Sequence, residues 1–323
     1  MNRIGVIGAG AFGSALAIAL ARGGATVTLW GRDADQVAAM DRTRENARYL
    51  PGLPLPEGLA VTGALDALSG ADLLLCVVPA QATRRFLEAH AAALPKVPLV
   101  LCAKGIERDT GALMSDIAAD HWPKDGIAVL SGPGFASELA RGLPTALSLA
   151  GHDAACASML QQALSTDRLR LYLSDDPTGV QLGGALKNVI AIACGLAVGA
   201  GLGESARAAL MTRGFAEMTR LAAAMGARAE TLTGLSGLGD LALTCTSRQS
   251  RNFAAGMDRA SGAVPAEGQT VEGAATAAAA VALAQAHGQE APIAAAVADV
   301  LAGHLSIHEA MDRLLSRPLR QET

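Results

Sequence analysis

The chain has 323 residues, enough for two domains that each bury a core of their own. Hydrophobic residues make up 51% and charged residues 17%, which excludes a disordered chain and favours a heavily buried globular protein. Aromatics are only 3% and the net charge is −4, so there are few base-stacking platforms and no basic surface, and nucleic acid is not an expected partner.

Met1-Asn2-Arg3 runs straight into an apolar stretch, Ile4 to Ile7, that is too short for a secretory signal and is followed by a glycine turn instead of a cleavage site. Residues 3–8 read as a strand, 11–22 as a helix and 25–30 as a second strand, a βαβ unit. Between the first two lies Gly8-Ala9-Gly10-Ala11-Phe12-Gly13. Here Gly8 permits the tight turn, Gly10 lets backbone approach a pyrophosphate, and Gly13 allows close helix-to-strand packing, while the helix N-terminus faces the negative charge. By itself the spacing is weak evidence, because a plain strand-to-helix turn also uses glycine. At the end of the second strand stand Trp30-Gly31-Arg32-Asp33. Arg32 suits the 2′-phosphate of NADP, while Asp33 beside it keeps NAD open.

Further strand-like runs follow at 71–78, 98–102, 127–130 and 146–150, separated by helical or polar stretches such as 81–94. That alternation predicts an α/β Rossmann-type, doubly wound parallel sheet, which we bound at residues 1–179 as a dinucleotide-binding domain. Lys104 and the loop Ser131-Gly132-Pro133-Gly134-Phe135-Ala136 come just after two of these runs, at the carboxyl edge where such sheets bind ligands.

From residue 180 to 323 the strand-like runs give way to Ala/Leu-rich stretches at 180–198, 204–226, 252–260, 271–287, 291–303 and 306–315, an all-helical second domain for substrate binding and catalysis. The uncharged stretch 188–203 is shorter than the roughly 18–20 residues needed to span a bilayer, so a buried helix with a glycine-rich bend is expected and no membrane insertion. Glycines at 195, 199, 201 and 203 mark that bend. Within this half, Lys187 has no other charge for several residues on either side. Burying an ammonium is costly unless it is paired or used, and a partly desolvated lysine can exchange a proton with a carbonyl oxygen; the alternative is a lysine that snorkels to solvent. Asp240, alone in a glycine-rich stretch, either neutralises Lys187, binds a substrate hydroxyl or caps a helix. Ser250-Arg251-Asn252 opens a helix and suits a phosphate, or is an N-cap beside a solvated Arg. His304 and His308 do not read as a metal pair, because Ser306 and Glu309 form a capping box that starts a helix between them. The five cysteines, Cys76, Cys102, Cys156, Cys194 and Cys245, are scattered without a C-x-x-C pair and read as reduced residues of a cytoplasmic protein.

Taken in order, these motifs, with Leu29-Trp30-Gly31-Arg32, Lys104-Gly105-Ile106, Leu186-Lys187-Asn188-Val189, Gly237-Leu238-Gly239-Asp240-Leu241 and Val271-Glu272-Gly273, make the chain resemble the bacterial NAD(P)-dependent glycerol-3-phosphate dehydrogenases over nearly its whole length. The resemblance implies reduction of dihydroxyacetone phosphate to sn-glycerol 3-phosphate by hydride transfer, supplying glycerophospholipid synthesis, with Lys187 as the acid/base. It implies substrate positions at Lys104, Gly132, Asp240, Ser250, Arg251 and Asn252, and cofactor positions at Ala11, Phe12, Arg32, Lys104, Ala136, Arg251 and Glu272. Gly134 departs from the family, which has Ser or Thr there, so a hydroxyl toward the substrate is lost. A β-hydroxyacid dehydrogenase would place its Asn one helical turn after the lysine, whereas Asn188 is adjacent to Lys187. A non-catalytic dinucleotide sensor would need neither Lys187 nor Asp240. The alanine-rich helices offer apolar faces for a homodimer.

Overall fold

The computed structural model describes residues 2–263 and 271–316. In the first half, strands and helices alternate: β1 (Arg3–Ile7), α1 (Ala11–Arg22), β2 (Thr26–Trp30), α2 (Ala34–Thr43), β3 (Leu59–Thr62), β4 (Leu73–Cys76), α3 (Ala80–His90), β5 (Leu99–Leu101), α4 (Met114–Ala119), β6 (Ile127–Ser131), α5 (Ala136–Arg141), β7 (Thr145–Gly151), α6 (Ala154–Leu164) and β8 (Leu169–Ser174). The eight strands form one sheet in the order β3-β2-β1-β4-β5-β6-β7-β8. The chain runs outward from β1 to β3 and then crosses back to set β4 beside β1, which opens a crevice at the carboxyl ends of those two strands. Strands β1 to β6 are parallel, and the central strands β4, β5 and β6 are buried on both faces, with Val6, Leu29, Leu74 and Leu75 fully enclosed, as continuous apolar runs require.

The expected parallel sheet is found with one exception, since β7 runs antiparallel to β6. The connection contains only the six-residue α5, about 9 Å of helix, which is too short to carry the chain back along the sheet for a parallel crossover. Two strands were also missed. β3 is four residues after a proline-rich loop, its apolar run only Leu-Ala-Val, and β8, Leu-Arg-Leu-Tyr-Leu-Ser, is an edge strand interrupted by Arg170 with half its residues facing solvent.

The second half is helical among the described residues: α7 (Pro177–Gly199), α8 (Gly203–Ala224), α9 (Ala229–Thr233), α10 (Asp240–Cys245), α11 (Arg251–Ala260), α12 (Glu272–Ala286), α13 (Pro292–Ala302) and α14 (Ile307–Leu315). α9, α10 and the single π-type turn at 235–239 between them fill the interval between the helices expected at 204–226 and 252–260, and Asp240 stands at a helix start. α7 is the strut of this half. With 23 residues it is long and apolar enough to cross a membrane by length and composition, yet 89% of its apolar window is enclosed by the protein. It is longer than the uncharged stretch suggested because Lys187 sits inside it, buried. Leu182, Val189, Ile190 and Ile192 along it are at most 2% exposed, each worth about 1.5–3 kcal/mol of burial.

Two of the four glycines assigned to a bend do something else. Gly195 lies within α7 and meets α11 face to face: a Cβ there would collide with the Phe253 carbonyl, and one at Gly256 of α11 would collide with the Ile192 carbonyl. Gly199, the last residue of α7, is pressed against Met257 in the same way. The bend itself belongs to Gly201 and Gly203, both at positive φ. Farther along, Glu217 of α8 is 4% exposed and its carboxylate accepts the backbone N–H groups of Ile293 and Ala294 at 2.9 Å each. It thereby caps α13, whose preceding residue, Ala291, has no capping side chain. Ser306 and Glu309 complete the expected capping box of α14.

A methyl at the α7–α11 crossing has nowhere to go. Gly195→Ala is expected to lower unfolding stability by about 1–3 kcal/mol in urea, despite the better helix propensity of alanine. An unchanged midpoint would show that α11 yields freely.

Candidate active site

The turn after β1 has the geometry of an anion cradle. Gly8 holds φ +116, and a Cβ there would lie 2.8 Å from the Val77 carbonyl at the end of β4; a Cβ at Gly13 would strike the Gly8 carbonyl. At Gly10, in contrast, a Cβ would meet nothing within 4 Å, so one side of the turn is open backbone. Gly10 is also the N-cap of α1 and contributes no side chain, which leaves the first amides of α1, at Ala11, Phe12 and Gly13, facing that space. These features fit a pyrophosphate group: close contact behind, an amide-lined opening in front. Arg32 is exposed just beyond β2. Asp33 is the N-cap of α2, accepting the Gln36 N–H, and pairs with Arg48 at 3.3 Å.

Across the carboxyl edge of the sheet, β5, β6 and two helices bring a second group together. Lys104 follows β5, and its Nζ donates to the Gly132 carbonyl at 2.8 Å and to Asp240 Oδ2 at 2.6 Å. Gly132, at φ +144, turns that carbonyl toward the lysine. Asp240, the first residue of α10, is 2% exposed, and its other oxygen, Oδ1, lies 3.1 Å from Nζ of Lys187. Thr244, one turn along α10, accepts from Lys187 Nζ at 2.7 Å and donates to Asp240 Oδ1 at 3.1 Å. One carboxylate therefore serves two lysines, and of the three N–H bonds of Lys187, two point to Thr244 and Asp240. The Lys104 ammonium also lies 5.8 Å from the Phe12 ring, which joins this cluster to the glycine turn.

The electrostatics follow from burial and count. Burial drives Lys187 below its ordinary 10.5 and the charge of Lys104 adds to that, while Asp240 opposes. Burial would raise the Asp240 carboxyl, but the charges of Lys104 and Lys187 outweigh it and hold it below 3.8. Two ammonium groups against one carboxylate leave a buried excess of positive charge that calls for an anion. Glu272, at the start of α12, does not supply it fully, since burial raises its carboxyl against the pull of Arg251, Lys187, Lys104 and the Ala80 N–H.

A polar chain backs the cluster. Asn188 donates to the Lys104 carbonyl at 3.1 Å and accepts from the amide of Asn252 at 2.8 Å, and the Asn252 oxygen accepts the Gly273 N–H at 3.1 Å. The buried amide of Asn252 is thus occupied inside the protein, and Ser250 Oγ is occupied as the N-cap of α11, accepting the N–H groups of Asn252 and Phe253. Between them, Arg251 is exposed at the first position of α11. Ala136 opens α5 with no side-chain cap before it, and Gly134 lies where a Cβ would sit 3.2 Å from Thr145 Cγ2. The structure gathers Lys104, Gly132, Asp240 and Lys187 in direct contact, with Glu272 and Arg251 within electrostatic reach. Arg32 stands apart, at the end of β2. Sequence reasoning missed Thr244 and gave Asn188 no role; the signal for Asn188 was an amide in a run of apolar residues, whereas Thr244 had none.

Comparison with known proteins agrees over the full length. Residues 3–157 match the family described as NAD-dependent glycerol-3-phosphate dehydrogenase N-terminus, and residues 176–312 its C-terminus. The chain is 54% identical over 319 residues to the glycerol-3-phosphate dehydrogenase (NAD(P)+) of Ruegeria sp. strain TM1040, with 99% of each chain covered. It is equally similar, 54% over 319 residues and 99% of each, to that of Paracoccus denitrificans. The crystal structure of glycerol-3-phosphate dehydrogenase from Coxiella burnetii superposes with a TM-score of 0.92 at 40% identity, covering 98% of this chain and 99% of the other.

Asp240→Asn leaves the buried Lys187 and the half-buried Lys104 without their anion, and should cost about 3 kcal/mol of unfolding stability at pH 7. A lysine held below its ordinary pKa penalises folding at low pH and sheds that penalty as pH rises through its folded value toward 10.5. The deficit of the variant, measured by urea unfolding, should therefore shrink at pH 10; a deficit independent of pH would contradict this account.

Proposed function

The chain belongs to the NAD(P)-dependent glycerol-3-phosphate dehydrogenases, and from that premise we propose how its own residues reduce dihydroxyacetone phosphate to glycerol 3-phosphate. The observation that carries the reading is the shared carboxylate, Asp240, between Lys104 and Lys187. The nicotinamide cofactor, when bound, supplies the hydride. The glycine turn from Gly8 to Gly13 holds its pyrophosphate on the open side at Gly10, with Ala11, Phe12, Ala136, Arg251 and Glu272 around it.

Lys187 gives a proton to the ketone oxygen in reduction and takes it back in the reverse direction. Its third N–H is the one aimed at substrate, since Thr244 and Asp240 receive the other two. Burial makes this ammonium a better acid than a free lysine, and Asp240 keeps it protonated until it is needed. The excess positive charge of the cluster favours a phosphorylated ketone over a neutral one, with Lys104 and Arg251 supplying cations and the Ser250 cap and Asn252 bracing the turn that presents Arg251. Dihydroxyacetone phosphate meets that requirement, and a β-keto acid meets it less well. Arg32 favours NADPH over NADH, and we read the product as feeding glycerophospholipid synthesis in the cytoplasm, with the apolar helical half available for a homodimer.

Two measurements test this. Lys187→Met should lower kcat for ketone reduction by about 10²- to 10⁴-fold while NADPH still binds, and turnover that survives the change would remove Lys187 from the chemistry. Gly134→Ser adds a hydroxyl to the loop that carries Gly132 at the expense of a small shift of Thr145, and should lower the KM for dihydroxyacetone phosphate by about two- to tenfold. A KM that stays put would mean that only backbone acts in that loop.

A further inference from the structure

We propose that Arg48 is a second cation for the 2′-phosphate of the cofactor, so that the chain selects NADPH with a pair of arginines. This rests on the reading above that Arg32 meets that phosphate. Asp33 stands where a carboxylate would receive the ribose hydroxyls of NADH, but both its oxygens are engaged. Oδ1 accepts the Gln36 N–H at 3.1 Å, and Oδ2 lies 3.3 Å from Nη1 of Arg48. A carboxylate used in this way is a poor acceptor for a 2′-hydroxyl, and its charge is offset by the guanidinium beside it, so it repels a 2′-phosphate less.

The loop that carries Arg48 is fastened to the cofactor turn itself. Asn46, 1% exposed, donates to the Ala9 carbonyl at 3.0 Å and to Ser14 Oγ at 2.7 Å, and Gln36 donates to the same Ala9 carbonyl at 2.8 Å. Arg44, held at φ +53, closes the loop by donating to the carbonyls of Pro56 and Leu59 at 2.7 Å each. Arg48 is therefore placed in the same frame as the pyrophosphate site, two residues from Asn46 and beside Asp33. Its guanidinium lies 5.3 Å over the Tyr49 ring, which orients the plane and leaves edge N–H groups beyond the one on Asp33. The side chain is 61% exposed, open to a ligand.

Calorimetric titration of wild type, Arg32→Ala, Arg48→Ala and Arg48→Lys with NADPH, NADH and 2′,5′-ADP tests the proposal without reference to turnover. Arg48→Ala should weaken NADPH and 2′,5′-ADP about five- to tenfold, with NADH affinity not lowered, since Asp33 Oδ2 is then released, and the melting temperature unchanged, and Arg48→Lys should recover part of the loss. Equal weakening of NADH and NADPH would overturn it, because Arg48 would then serve the adenosine or the loop and not the phosphate. If Arg32→Ala weakens NADPH and Arg48→Ala does not, Arg48 is excluded and the Arg32 reading stands. If neither variant discriminates between the cofactors, both fall.

Discussion

Asp240 is one buried carboxylate shared by two cations, Lys187 buried and Lys104 half-buried, and most of the architecture around the site is arranged to let that exist. Left alone in the interior it would be protonated; opposite two ammonium groups it stays ionised. Each lysine comes from a different part of the chain, Lys104 from the edge of the sheet and Lys187 from the middle of α7, and the carboxylate fixes both at once. Satisfying the pair costs the protein hydrogen-bonding partners that it draws from Thr244 and the Gly132 carbonyl. What remains unbalanced is charge: two ammonium groups face one carboxylate.

The same constraint accounts for the character of α7. A helix carrying a charged residue and an amide in its buried middle needs neighbours that reach them, and α10, α11 and α12 all pack against it closely. The glycines at the α7–α11 crossing shorten the distance enough for Asn252 to reach Asn188, and Asn188 in turn reaches the backbone of Lys104. Helix packing and lysine placement are therefore one problem, solved by small residues at the crossing and amides beside it.

The βαβ unit and its glycine turn were legible in the sequence because their signals are local: a strand, a turn and a helix within thirty residues. Lys187 stood out for the opposite reason, as a charge with no other charge for several residues on either side. What was not legible was pairing. Asp240 could be read as a cap, a substrate ligand or a counter-ion, and only the folded chain shows it as counter-ion to Lys104 as well as Lys187. The direction of β7 escaped because it depends on the length of α5, and β8 because half its residues face solvent. Thr244 escaped because a threonine in a helix has many ordinary uses, and its position one turn after Asp240 acquires meaning only once Lys187 is beside it.

Lys104 and Asp240 are separated by 136 positions along the chain, and Glu217 by 76 from the first amide that it caps. During synthesis from the N-terminus, the sheet and its glycine turn are translated long before Asp240 leaves the ribosome. Until then Lys104 has the Gly132 carbonyl but not its carboxylate, and no nascent length short of α10 can join it to Lys187. The oldest part of each newborn molecule is the glycine turn and its sheet; the buried cluster that ties the two halves together waits for α10.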